Sequence, residues 1–385
     1  MSLESVHLAA GATLGERNGV RIPLHFGEPQ QEHAASRKNI LMVDYSHFGL
    51  VEIKGDDAYD FLNRVIGGDL SVIRNEQALY TVLLDEQGKI DTDLYVLCDD
   101  ERFVLLCEWH RGSSLAASLQ ALAGGQDVEI AALNDSLSTV LFEGPYSWEL
   151  MAELYGFDVL GLPFLEFMPV DDGLLLRAGK HGEFSYKVLT SKENAEDLWA
   201  RAEAAGAKFD MKKGGIAFQS LSRLENPCWD PSLVGEFSTC PIELQLQWAV
   251  RYDKDEFIGR EALLARLEEG AKVRSVGFQV KGDGATLNIG DSVFSGQTPI
   301  GKVITLGYSD GVQGYIGQAL LDSAYAYAGI DCYEVATGEA RVAIATSAIP
   351  FLQNFSFMVN PAEHSYVDPS RPKSLVEQLK AKAEA

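Results

Sequence analysis

The chain is short of basic residues: 32 lysines and arginines stand against 56 aspartates and glutamates, a formal charge of -24 over 385 residues. Binding to nucleic acid by counterion release needs Lys/Arg patches, and none of length is present, so nucleic acid is excluded as a partner. The same charge disfavours anionic membrane surfaces, and it repels an acidic protein unless the docking face is locally basic. No window approaches about 18 uninterrupted apolar residues, which excludes a membrane-spanning helix. Cysteine is scarce and odd in number, five in all and without C-x-x-C spacing. That pattern fits reduced thiols in a cytoplasm and excludes both a disulfide frame and a zinc site. The seven histidines do not cluster, and no metal is expected. Residues 1–7 lack a basic start and an apolar run, so no export signal is read and a cytoplasmic location is expected. Also missing are G-x-G-x-x-G after a strand, G-x-x-x-x-G-K-[ST], G-x-S-x-G and H-E-x-x-H, which removes the common nucleotide-binding, hydrolase and metalloprotease readings.

What is present is a globular composition, 46% hydrophobic with 36 glycines and 13 prolines, in a chain long enough for two or three domains. The stretch 79–96 is the informative one. Two runs rich in β-branched and aromatic residues flank Asp85-Glu86-Gln87-Gly88, a polar connection ending in glycine, and so predict a hairpin. Residues 103–107 extend it to a meander. Strand side chains alternate, which puts Asp91, Asp93, Tyr95 and Leu97 on one face. Two same-face carboxylates roughly 7 Å apart would raise one another's pKa if that face lined a cavity, giving a general base or a cation site. On a solvated face they would do neither.

Around this meander the pattern predicts a short helix over 32–37, a strand pair over 41–53, and a helix from 58 whose Phe61, Leu62, Val65 and Ile66 fall at helical spacing, capped by Asp56 or Asp57. Helices follow at 113–122, stopped by Gly124-Gly125, and near 147–154, with strands at 138–142, 167–170 and 174–178. Residues 214–225 read as a helix ending before Asn226-Pro227, and 259–267 as another. Beyond Lys272 short alternating runs with many glycines predict a small β-barrel, and 370–385 a terminal helix. The expected fold class is α+β and multi-domain, divided as 1–271, containing two intertwined α+β units, 272–369 as barrel and 370–385 as terminal helix.

The ordered segments resemble the glycine cleavage system T-protein (aminomethyltransferase) and its folate-dependent relatives. They are Glu32-His33 with Arg37; Asp44-Tyr45-Ser46-His47-Phe48-Gly49; Gly55-Asp56-Asp57-Ala58 with Phe61-Leu62; and Tyr80-Thr81 with Gly88-Lys89-Ile90 and Asp93-Leu94. Further on come Arg177-Ala178-Gly179 with Gly182-Glu183, Arg223-Leu224-Glu225, Cys240-Pro241-Ile242-Glu243, and the run from Phe257 to Leu263. Each is weak alone; their order and spacing are specific and span nearly the whole chain. The resemblance implies a three-part ring around a central folate cavity with a C-terminal β-barrel, and tetrahydrofolate as the bound cofactor. It makes Asp93 the catalytic aspartate near N5 of the reduced pterin, Tyr80 a wall of the pterin site and Arg223 the arginine packed on it. Read without it, Tyr80 is a core aromatic and Arg223 a helix-end charge paired with Glu225.

Departures from the family pattern matter for the ligand. Where members continue Gly182-Glu183 with glycine, an aromatic and a glutamate that hydrogen-bonds the pterin, this chain has Phe184-Ser185-Tyr186-Lys187. Tyr186 and Lys187 are thus the corresponding cofactor-site positions, with the acid replaced by lysine. Glu108 stands where an asparagine is common; it either compensates Lys187 as a charge pair or marks a different ligand. The loop expected at 301–309 departs from the usual V-T-S-G pattern. The activity implied is a tetrahydrofolate-dependent one-carbon transfer, most nearly from a lipoyl-bound aminomethyl group on a carrier protein, with loss of ammonia. Two alternatives stand beside it: a folate-dependent demethylase of a small sulfonium, quaternary amine or methoxy compound, and a non-catalytic folate-binding accessory protein. The last is opposed by the absence of the K-G-C-Y-x-G-Q-E signature of the iron-sulfur repair relatives.

Overall fold

The computed structural model describes residues 3–338 and 340–384. Among these, strands from the first two thirds of the chain form one eleven-stranded sheet. Its order is Lys212–Gly214, Leu41–Asp44, Leu137–Glu143, Ser185–Ser191, Gly173–Arg177, Glu166–Val170, Gln77–Leu84, Ile90–Asp99, Arg102–Cys107, Gly49–Lys54 and Glu129–Ala132. The predicted meander lies near its middle, paired from Gln77↔Cys98 to Leu84↔Ile90 and from Leu94↔Cys107 to Asp99↔Arg102. The strands predicted at 41–53 form but do not pair with each other. Residues 45–48 send Leu41–Asp44 to Leu137–Glu143 and Gly49–Lys54 to Arg102–Cys107, so the two lie at separate places in the sheet.

Helices cover the sheet where apolar spacing demands it. In Ala58–Val65, Ala58, Phe61, Leu62 and Val65 are buried, and each large side chain contributes roughly 1.5–3 kcal/mol. The Asp57 carboxylate does not cap this helix as expected; it accepts from the Asp127 amide at 2.8 Å and ties the helix entry to the neighbouring loop. At the other end the Lys254 ammonium donates to the carbonyls of Asn63, Ile66 and Gly68 at 2.5–2.7 Å, supplying partners that a helix C-terminus lacks. The expected 214–225 helix starts only at Phe218, because residues 212–214 are taken as a parallel edge strand beside Leu41–Val43. Sequence pattern left 185–206 unassigned, and it holds the strand Ser185–Ser191 and the helix Lys192–Gly206, capped by the Ser191 hydroxyl.

Six strands between Val273 and Ser347 close into the expected barrel. Residues 301–309 belong to its strand Thr298–Ser309 and are not a loop. The chain then returns over the first region. Ser356 bonds the Glu183 carboxylate through its amide at 3.0 Å and its hydroxyl at 2.5 Å, and the Tyr366 amide bonds Glu149 at 2.7 Å. Arg37 and Glu225 draw these parts together. Arg37 donates to the His181 carbonyl at 2.7 Å, to Glu183 at 3.2 Å and to Glu225 at 3.1 Å, while Glu225 also takes the Ser309 hydroxyl of the barrel at 2.7 Å. The terminal helix is Leu375–Glu384. No helix among the described residues is long and apolar enough to cross a membrane.

Candidate functional site

The pairing register of the meander decides what its carboxylates can do. Leu83 lies opposite Thr92 but Leu84 opposite Ile90, so Asp91 is the extra residue of a β-bulge. Its side chain turns outward, 56% exposed, and meets His110 Nε2 at 3.1 Å. Asp93 faces inward and is fully buried. The two acids therefore do not share a face, and the expected carboxylate pair does not form. Asp93 Oδ2 accepts the Tyr80 hydroxyl at 2.6 Å and the Lys180 ammonium at 2.5 Å. Its Oδ1 is buried and has no hydrogen-bond partner among the described residues.

From Asp93 a chain of alternating charge runs across the interior. Lys180 Nζ lies 3.1 Å from Glu108 Oε2, Arg223 Nη2 donates to Glu108 Oε1 at 2.5 Å, and Arg223 Nη1 donates to Asp230 Oδ2 at 2.6 Å. Burial opposes the charges of Glu108, Lys180 and Arg223, yet their neighbours win. Glu108 is held well below the usual carboxylate range by Arg223 and Lys180, and Lys180 is held above its usual value by Asp93 and Glu108. Neither group is a general base near neutral pH. The Lys180 loop is fixed by Asn226, whose amide donates to the Lys180 carbonyl at 2.6 Å. Gly182 in the same loop has φ +82°, and a side chain there would strike the Asn354 amide.

Aromatic rings bracket this network. The guanidinium groups of Arg17 and Arg223 each lie 5.2 Å from the Trp109 ring centroid. Tyr80 stacks on Trp248 at 5.3 Å and 22°, and Trp248 is 65% exposed. Trp248 and Cys228 line an open pocket of about 320 Å³ that reaches Gln318 and Ile349 on the barrel side. Burial pushes the Cys228 thiol up to about 11, so it is no thiolate at neutral pH. Deeper in, Tyr45, Phe48, Glu108, Lys187, His181 and Arg223 enclose about 10 Å³, room for one water.

Asp93, Tyr80, Glu108 and Arg223, chosen from sequence, thus meet in one cluster, and Lys187 lines the small inner space. Lys187 does not pair with Glu108. It donates to the Ala178 carbonyl at 2.6 Å and lies 5.1 Å from the Tyr95 ring centroid. Burial lowers its pKa to about 8. Tyr186 is on the opposite face of the same strand, buried among Ile40, Phe142 and Trp199, because neighbouring strand residues cannot both face one cavity. The Arg223–Glu225 pair does not form either: Glu225 serves His33, Arg37 and Ser309. Sequence reasoning missed Lys180 and Asp230. Among the described residues no cluster of His, Cys, Asp or Glu stands ready for a metal ion.

Comparison with known proteins agrees with this architecture. Residues 3–254 match the GCVT N-terminal domain and residues 274–353 the glycine cleavage T-protein C-terminal barrel domain. An aminomethyltransferase of Thermoanaerobacter pseudethanolicus is 30% identical over 319 residues, covering 81% of this chain and 86% of the relative. One from Bacillus pumilus is 30% identical over 352 residues, covering 89% and 95%. The crystal structure of glycine cleavage system aminomethyltransferase T from Bartonella henselae has a TM-score of 0.78 at 24% identity, over 92% of this chain and 98% of that one.

Proposed function

The chain belongs to the glycine cleavage T-protein family, and on that premise we propose that it transfers a one-carbon unit from a nitrogen-bearing donor to tetrahydrofolate. The observation that carries this reading is the Asp93 carboxylate: fully buried, fixed through Oδ2 by Tyr80 and Lys180, with Oδ1 left free. The residues fit a reduced pterin in their donor set. Asp93 Oδ1 is an unclaimed acceptor for an N–H, Trp248 offers an exposed ring backed by Tyr80, and the pocket of about 320 Å³ that Trp248 lines has room for a bicyclic ring. Trp248 would hold the cofactor there, beside Cys228, with Tyr80 stacked on Trp248 and Asp93 bonded to the Tyr80 hydroxyl behind it. Bound tetrahydrofolate supplies the acceptor nitrogen for the one-carbon unit.

The chain's own groups have definite tasks. The Asp93 carboxylate, paired with Lys180, is placed to stabilise positive charge or to take a proton at Oδ1 in a water-poor site. Tyr80 and Lys180 fix which oxygen does this. Arg223 is immobilised by Glu108, Asp230 and Trp109, and so acts as a rigid wall and donor rather than a mobile charge. As donor we propose an aminomethyl group borne by a lipoyl carrier protein. A second reading, a demethylase of a small cationic methyl compound, is supported by one feature: a cation, the Lys180 ammonium, already sits on Asp93 and 5.9 Å from the Tyr80 ring centroid.

A single-turnover assay with tetrahydrofolate separates the two. Ammonia with methylene-tetrahydrofolate from the carrier-bound donor supports the first reading, and methyl-tetrahydrofolate from a sulfonium or quaternary amine the second. Turnover with neither donor class, by protein that binds tetrahydrofolate, would sink both.

A further inference from the structure

The open pocket of about 320 Å³ beside Trp248 has no charged side chain in its wall. Hydrogen bonding and stacking are therefore its means of recognition. Three side-chain amides line it, those of Asn226, Gln245 and Gln318. Two of them are half spent. The Asn226 NH2 donates to the Lys180 carbonyl at 2.6 Å and the Gln245 NH2 to the Ser275 carbonyl, so each has a carbonyl oxygen left to offer, an acceptor.

Gln318 is unspent. It lies on the barrel strand Gly314–Asp322, where alternation decides its direction. Ala319 and Leu321 pack in the barrel core and Leu320 against the cluster of Trp229, Leu244 and Leu246, so Gln318 shares the outer face with Leu320 and turns to the first region of the chain. Its cross-strand neighbours give its carboxamide nothing: Gly277 has no side chain, and the Thr305 hydroxyl accepts the Gln318 backbone N–H at 2.9 Å. The residue is 7% exposed and its side chain makes no hydrogen bond with any described residue, yet both polar atoms of the carboxamide retain accessible surface, which opens on the pocket. A polar group so buried and unpaired costs stability, and a ligand that completes its hydrogen bonds recovers that cost.

We propose that Gln318 selects the ring of the cofactor, its carboxamide pairing with adjacent donor and acceptor groups on one edge of the reduced pterin. The proposal rests on the reading of this pocket as part of the tetrahydrofolate site. A carboxamide holds N–H and C=O side by side in one plane, which matches a ring edge where an N–H adjoins a carbonyl or a ring nitrogen. The acceptor oxygens of Asn226 and Gln245 suit the amino group that the same ring carries, and the exposed face of Trp248 suits its flat side. With no cation in the wall, the anionic tail of the cofactor has no partner here. The pocket thus takes the ring and leaves the tail outside.

Calorimetric titration of the full chain with tetrahydrofolate, and separately with a methyl-tetrahydropterin that has the ring without the tail, tests this. Wild type should bind both saturably. Gln318→Met, which keeps the length of the side chain and removes its polar groups, should weaken both by about tenfold, the loss of a pair of neutral hydrogen bonds. Its thermal midpoint without ligand should not fall, because the carboxamide has no partner in the protein; a fall would mark a structural glutamine and overturn the proposal. Gln279→Ala, at an exposed position on the neighbouring barrel strand, should leave both affinities unchanged. Equal affinities in wild type and Gln318→Met overturn the role of Gln318 while tetrahydrofolate binding stands. A loss confined to tetrahydrofolate, or a ring compound that does not bind at all, overturns it too, since the contact would then be to the tail. Wild-type protein that binds neither compound removes the cofactor reading itself, and this inference with it.

Discussion

Lys187 should destabilise the protein it belongs to, and replacing it with methionine should reveal by how much. Its ammonium is buried with one carbonyl acceptor, Ala178 O at 2.6 Å, and burial lowers its pKa from 10.5 to about 8. A lysine whose folded pKa lies below its unfolded value penalises the folded state fully below the folded pKa. The penalty fades as pH rises and is gone above the unfolded pKa. A shift of this size corresponds to about 3 kcal/mol near neutral pH. Methionine keeps the length and apolar stem but leaves the Ala178 carbonyl unpaired, which costs about 1 kcal/mol in return. Lys187→Met should therefore be more stable than wild type by about 2 kcal/mol at pH 7, with the gap closing and reversing near pH 10.5. Urea unfolding of both proteins across this range reads the difference directly, since other titrating groups cancel. A destabilised variant at pH 7, or a gap that does not change with pH, would refute the electrostatic reasoning.

Three more outcomes follow from the same network. Asp93→Asn should lower single-turnover transfer roughly 100-fold or more, and should also lower stability because the buried Lys180 ammonium keeps only Glu108, so transfer is read on variant protein shown folded by circular dichroism; undiminished transfer would remove Asp93 from the chemistry. Arg223→Met should cost about 3–5 kcal/mol in denaturant unfolding, because Glu108 and Asp230 are left as buried charges without their shared partner. Burial raises the Glu225 pKa, but His33 and Arg37 outweigh it and hold the carboxyl below its ordinary 4.5. Its stabilisation is present above that value and lost as pH falls through the lower folded one, so Glu225→Gln should flatten the acid limb of the stability profile.

The parts legible in the sequence were those set by local periodicity. The meander, the Phe61–Leu62 helix face and the alternating barrel strands each follow from spacing within a dozen residues. What was not legible depends on pairing register or on distant partners. Asp91 and Asp93 look equivalent until the bulge between Leu83 and Leu84 turns one of them out. Tyr186 and Lys187 were both placed at the cofactor, although strand alternation permits only one, and the lysine is the one that faces inward. Leu41–Asp44 and Gly49–Lys54 look like a hairpin because they are adjacent, yet each finds better partners elsewhere. Lys180 carried no signal at all, since its importance comes from two acids on other strands brought to 2.5 and 3.1 Å by the fold.

The most direct measurement is a tetrahydrofolate titration of the full chain, followed by tryptophan fluorescence with Trp248→Phe as the control for the reporting ring. The account predicts saturable binding whose signal falls in Trp248→Phe and whose affinity falls in Asp93→Asn. A folded protein that shows no binding at high tetrahydrofolate would contradict it, and would mean that Lys180 and Lys187 close the site to the cofactor of its family.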